Sequence, residues 1–134
     1  MAEKFQLKVI TPERVFYEGE PFFVEMNTTE GEVGIYKNHI PMTMLIAPGV
    51  LLIHEDDGVK EAALHSGFVE VLQDRVCVVA EIAEWPDEID INRANEAKIR
   101  AERLLKSGEQ TVNIMRAEIA LQRALTRLEV GKNR

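Results

Sequence analysis

Ile89-Asp90-Ile91-Asn92-Arg93-Ala94 divides the chain into two kinds of sequence. Upstream, runs of Val, Ile, Phe and Thr are interrupted by Gly, Pro and Asn. Downstream there is almost no Gly or Pro, and Ala, Leu, Glu, Lys and Arg dominate. The first pattern suits short strands and turns, the second suits helices. Asp90 and Arg93, three residues apart at the mouth of the helical part, form a compact ionic hook. A ligand bound there would join the two architectures.

Upstream of the hook, Phe5 to Ile10 alternates apolar and polar residues until Thr11-Pro12-Glu13 stops it, because proline removes a ladder donor. Further strands are expected over Arg14 to Glu20, Phe22 to Thr28, the end of Glu30 to Ile35, Met42 to Ile46 and Val50 to His54. Val59 to His65, Gly67 to Leu72 and Arg75 to Ala80 complete the series. The fold class that follows is an all-β sandwich or flattened barrel of about 8–10 short antiparallel strands. Trp85-Pro86 closes it, so residues 1–85 form one domain.

Residues 86–134 are expected to form an antiparallel two-helix hairpin. Asp90 is the N-cap candidate, its carboxylate accepting orphan amides at the positive end of the helix dipole. The first helix runs to about Lys106, with Ala94, Ala97, Ala101 and Leu104 on one stripe, and Ser107-Gly108 ends it. The second runs from about Gln110 to Val130, with Ile114, Leu121, Leu125 and Leu128 as its stripe. Narrow, alanine-rich faces bury little area, so the hairpin is expected to be marginal without a partner or ligand.

Composition excludes several classes. An apolar share of 46% and a charged share of 29% describe a globular chain. No apolar run approaches the roughly 18 residues that span a bilayer, so no direct insertion is expected. Met-Ala-Glu-Lys-Phe lacks a signal-peptide layout, which favours the cytoplasm. The single Cys77 excludes an internal disulfide and reads as a small hydrophobe in a strand. The net charge of −7 argues against nucleic acid. It is also uneven. Residues 1–84 carry 15 acids against 6 Lys/Arg, whereas residues 85–134 carry 8 against 10, so the tail is the basic part and its ligand is expected to be anionic.

Arg116, Arg123 and Arg127 fall within roughly 40° of one another on the second helix. Arg93 and Arg100 share a face of the first, with Ala94 and Ala97 leaving open space beside them. If these faces converge, four or five guanidiniums surround a small hollow, and their planar forks suit phosphate oxygens. The helix N-terminus adds an anion seat, and Asp90 can accept from an exocyclic amine or ribose, or hold Arg93. The alternative is a set of solvated intra-helix pairs, such as Glu96 with Arg100. His39, His54 and His65 have no metal-ligand spacing. Glu30, Glu32, Asp56 and Asp57 read as solvated turn acids, and no phosphate-binding loop or nucleophile elbow occurs. No catalytic residue, metal or catalytic cofactor is expected.

Taken in order, these pieces resemble the epsilon-subunit family of bacterial F-type ATP synthases along the whole chain. The matching segments include Leu7-x-Val9-x-Thr11-Pro12-Glu13-Arg14, Gly31-Glu32-Val33-Gly34-Ile35-Tyr36-x-x-His39-x-Pro41, Pro48-Gly49, Ser66-Gly67-Phe68-Val69-Glu70-Val71 and Val78-Val79-Ala80-Glu81. Ile89-Asp90-x-x-Arg93-Ala94 and Leu121-x-Arg123-Ala124-x-x-Arg127-Leu128 continue the match. The resemblance implies a non-catalytic central-stalk subunit, peripheral on the cytoplasmic face of the membrane. Its sandwich would bind the gamma subunit and rest on the membrane rotor ring through Glu32 and His39. Its hairpin would permit ATP hydrolysis when folded and block it when extended into the alpha and beta subunits of the catalytic head. ATP, as a regulatory ligand, would hold the folded form through Ile89, Asp90, Arg93 and Ala94, with Glu84, Arg100, Arg123 and Arg127 matching the rest of the site. Two rival readings are a free-standing β-sandwich module that binds an anionic ligand and a small hydrolase using Glu30, Glu32 or the histidines.

Overall fold

The computed structural model describes residues 3–108 and 113–132. Eight strands come first: β1 (Gln6–Ile10), β2 (Val15–Gly19), β3 (Phe23–Thr28), β4 (Gly31–Ile35), β5 (Met42–Ile46), β6 (Gly49–Glu55), β7 (Gly58–Val71) and β8 (Arg75–Glu84). A 3-10 turn at Pro86–Glu88 leads into α1 (Ile91–Ser107), and α2 (Ile114–Gly131) follows. Strand order is β2-β1-β8-β7-β5-β3-β4, with β6 pairing β3 and β7, and the sheet folds over one core that includes Leu7, Val24, Leu51, Leu64 and Val78. The sandwich is therefore present, with one exception to its antiparallel pairing: β1 runs parallel to β8. These strands come from opposite ends of the domain, so no tight hairpin imposes an antiparallel partner.

A second departure matters more for the site. Val59 to His65 and Gly67 to Leu72 are the two halves of β7, not separate strands. The first half pairs β6 and the second pairs β5, while β8 pairs both and continues past Ala80 to Glu84. Register with β8 is unbroken, since Ala63 faces Glu84 and Val71 faces Val76. The chain kinks at Ser66 (φ 49) and Gly67 (φ 130), and the inward face slips there from Ala62 and Leu64 to Val69 and Val71. Before the kink, Ala63 and His65 point away from the sandwich core, toward the helices.

Asp90 caps α1 as expected, accepting from Arg93 N at 3.1 Å, and Asn113 caps α2 by the same bond to Arg116 N. Gly108, at φ 67, ends α1. The expected start of the second helix at Gln110 lies outside the described residues. The expected apolar stripes are corrected. Ala94 and Ala101 are buried on α1, and Ala117, Ala124, Thr126 and Val130 on α2. Leu104, Leu125 and Ile114 are 48%, 45% and 60% exposed. Small residues spaced by seven on both helices let the backbones approach, which turns the larger side chains outward. Against the sandwich the hairpin buries only a small cluster of Ala63, Ile89 and Val130, flanked by Val50 and Ile91. No helix among the described residues is long and apolar enough to cross a membrane.

The kink yields a test. A Cβ at Gly67 would lie 2.0 Å from the Val79 carbonyl oxygen, whereas one at Gly108 would meet nothing within 4 Å. Gly67→Ala is expected to cost the sandwich upward of about 2 kcal/mol, and Gly108→Ala only the roughly 1–2 kcal/mol of a left-handed residue. Urea unfolding followed by circular dichroism measures both, and equal costs would contradict the assigned kink.

Candidate functional site

The end of β8, the 3-10 turn and both helices converge on one cleft of about 280 Å³, and its lining includes Glu84, Asp90, Arg93, Ala94, Arg100 and Arg127. Glu88 and Ala97 complete it. Its volume lies just below the roughly 300–1,000 Å³ range of small-molecule sites. Two larger clefts lie elsewhere. One of about 540 Å³ is lined by Glu25, Glu32, Glu61 and Glu129 and by no Lys or Arg; another of about 500 Å³ sits beside Lys8, Glu18, Glu20, Glu70, Arg75 and Cys77. The larger clefts hold at most one Lys and one Arg, whereas the small cleft gathers three arginines beside the carboxylates of Glu84, Glu88 and Asp90.

The cleft's charges are placed by separate elements. Arg93 and Arg100 come from α1, and among the described residues neither side chain has an ionic partner; the Glu96–Arg100 pair of the alternative reading is not formed. Arg127 comes from α2 and donates through Nε to Glu84 Oε1 at 2.7 Å. Three guanidiniums therefore surround Ala94 and Ala97, not four or five. Arg116 is exposed on α2 away from this lining, and Arg123 is diverted to the sandwich, donating to Ser66 Oγ at 2.9 Å. Ile89 is 2% exposed and packs in the small hydrophobic cluster beneath the hairpin, so its place is beside the cleft and not in its wall. Asp90 spends one oxygen on the α1 cap.

Two carboxylates hold the sandwich side. Glu88 accepts from Arg14 Nη2 at 2.7 Å and from Trp85 N at 2.8 Å, and these bonds, led by Arg14, hold its carboxyl below the usual range. Glu84 is half-buried. Burial raises its pKa, but His65 and Arg127 outweigh burial and leave it lowered. His65 has no exposed surface and sits 3.4 Å from Glu84. Neither ring nitrogen has a hydrogen-bond partner among the described residues, and Arg123 Nε is likewise unpaired. Each such buried orphan costs about 1–3 kcal/mol. The seam under α2 is thus polar and incompletely satisfied.

Glu32 and His39 are not part of this cleft. Glu32 is exposed on the edge strand β4, and His39, in the loop after it, bonds through Nδ1 to the Ile40 carbonyl. No hydrogen bond or ion pair joins the two among the described residues. Sequence reasoning missed Glu88, Arg14, Ser66 and His65 as contributors. The available signal for His65 was a polar residue closing the apolar run Ala62-Ala63-Leu64. Among the described residues no group of three or more His, Cys, Asp or Glu is placed to hold a metal.

The geometry agrees with what the chain is similar to. The family model described as the ATP synthase delta/epsilon chain beta-sandwich domain matches residues 4–86, and that of the long alpha-helix domain matches residues 87–132. An ATP synthase epsilon chain of Caldanaerobacter subterraneus subsp. tengcongensis is 47% identical over 132 residues, covering 98% of this chain and 96% of that protein. One from Shouchella clausii is 45% identical over 129 residues, covering 96% of each. Among solved structures, a chain of the Euglena gracilis mitochondrial ATP synthase has the same fold, with a TM-score of 0.80 at 24% identity over 96% of this chain and 81% of that one. With both of its parts matched in order and relatives above 40% identity along nearly its whole length, the chain belongs to the ATP synthase epsilon-chain family.

Proposed function

We propose that this chain is a central-stalk subunit of the ATP synthase whose helical hairpin is a switch held folded by ATP. Its family is that of a non-catalytic subunit of the complex. On this reading the sandwich joins the gamma subunit to the membrane rotor ring, with Glu32 and His39 on the ring side, at the cytoplasmic face of the membrane. The hairpin, when released, extends toward the alpha and beta subunits and blocks hydrolysis.

One observation carries the proposal: Arg93 and Arg100 of α1 and Arg127 of α2 share a cleft with Glu84 of the sandwich, and among the described residues the α1 arginines lack carboxylate partners. A triphosphate fits that charge, and Asp90 retains an oxygen for an amine or a ribose hydroxyl. A ligand shifts a conformational equilibrium only through differential affinity. Extension separates the α1 and α2 arginines and takes both from Glu84, so the folded form alone presents the complete set. Ligand at about 100 times its dissociation constant would stabilise that form by about 2.7 kcal/mol.

Calorimetric titration of the full chain with ATP checks the site. Arg93→Ala is expected to weaken binding about 10- to 100-fold, the worth of one charged hydrogen bond, with the β-sheet circular dichroism unchanged. Asp90→Ala should weaken it as well, partly through the lost cap. Parent-like affinity in both variants would sink the assignment. A second test addresses the latch. Because Glu84 is lowered from its ordinary 4.5 when docked, its contribution is complete above that pH and is lost as pH falls through the docked value. Glu84→Gln should therefore weaken hairpin docking at pH 7 by about 1–3 kcal/mol, read as faster hydrogen exchange in α2 than in β8. Unchanged exchange in α2 would show that the pair is idle.

A further inference from the structure

Among the described residues His65 is the one fully buried titratable group in the seam, and the proposed switch makes no use of it. The kink at Ser66-Gly67 turns it out of the sandwich core, so that it lies beneath α2 beside Ala63. The charged groups acting on the ring come from two elements: Glu84 on β8, at 3.4 Å, and Arg127 and Arg123 on α2. Arg127 is bonded to the same Glu84 oxygen that faces the imidazole. Arg123 is anchored to Ser66, the next residue along β7, and lies 4.0 Å from Glu81. Two polar anchors of α2 on the sandwich, Arg127 on Glu84 and Arg123 on Ser66, thus lie beside one imidazole.

We infer that His65 is a proton-linked positioning residue for the docked hairpin: neutral, it backs the Glu84 carboxylate that anchors Arg127; protonated, it releases α2. The inference deepens the switch reading by naming its regulation, and it does not depend on the nucleotide site. A charged ring competes with Arg127 for Glu84 and repels both guanidiniums, so these two polar anchors of α2 weaken together. Undocking exposes the ring to water and moves the arginines away, which favours the charged form. The sign follows from the docked environment. Burial first, then Arg127 and Arg123, push the ring below its ordinary 6.5, while Glu84 pulls the other way. Docking is therefore complete above about pH 6.5 and weakens as pH falls through and below that value. Glu84 acts lower, below its own ordinary 4.5, so the two effects occupy separate windows.

The test uses the full chain without nucleotide. Hydrogen exchange of the α2 amides from Ala124 to Val130, corrected for intrinsic rates, is followed from about pH 7.5 to 5 together with NMR titration of the three imidazoles. The opening constant of α2 should rise by a factor approaching about ten per pH unit below about 6.5, while His65→Gln holds it within about twofold. His39→Gln should keep the parent's slope. A flat profile in the parent, or the parent's slope in His65→Gln, overturns the inference. If His65→Gln does not fold, the parent decides: the His65 resonance must titrate in step with the loss of α2 protection, and titration with α2 protection unchanged overturns the inference. ATP binding measured separately at pH 7.5 reports on the nucleotide site alone, so either claim can fail without the other.

Discussion

The carboxylate of Glu84 is the point on which the relation between the two halves of this protein depends. It ends β8, receives Arg127 from α2 at 2.7 Å, and faces the buried ring of His65. Among the described residues the apolar contact beneath the hairpin is a small cluster of Ala63, Ile89 and Val130 with two half-buried neighbours. That contact is far smaller than the core of the sandwich. A weak apolar seam leaves the decision to charge. Removing one partner of a half-buried pair leaves the other uncompensated, so the latch is sensitive to whatever competes for Glu84 or for the arginines.

On the proposed reading the sandwich is a fixed platform and the hairpin a movable cover. The platform is built from non-local pairs, including the parallel contact between the first strand and the last. The cover is built from local helices capped by Asp90 and Asn113 and joined over alanines. Close packing through small residues gives the hairpin a defined shape at little cost in area, and it sends Leu104, Ile114, Met115 and Leu125 outward. Positive charge follows the cover and negative charge follows the platform, as the split in net charge along the chain requires. On the proposed reading an anionic ligand at the junction would supply the partner that Arg93 and Arg100 lack among the described residues.

Features that depend on neighbouring residues were legible in the sequence, and those that depend on distant ones were not. Asp90 could be assigned as a cap, and Gly108 as a helix end, because each acts within one helical turn. Ser66-Gly67 resembled a turn because the residue pair is the same, yet here it kinks a continuous strand whose register with β8 survives. The leucine stripe expected on α2 followed from size and periodicity, but close helix approach selected alanines instead. The cleft's wall was foreseen for Glu84, Asp90, Arg93, Ala94, Arg100 and Arg127. Arg123 stands outside that wall, drawn to a partner, Ser66, that lies 57 residues away. His65 was passed over for the same reason: only the kink reveals that its side chain meets α2.

The central claim is that one set of charges keeps the hairpin on the sandwich and that ATP completes the set. Spin labels at Lys106→Cys on α1 and Glu70→Cys on the outer face of β7, in a Cys77→Ser background, allow the distance between cover and platform to be measured by pulsed electron resonance. The account predicts a narrow docked distance whose population grows with ATP and fails to grow when Arg93 is replaced by Ala. A distribution indifferent to ATP, or one that responds equally in the Arg93→Ala chain, would contradict it.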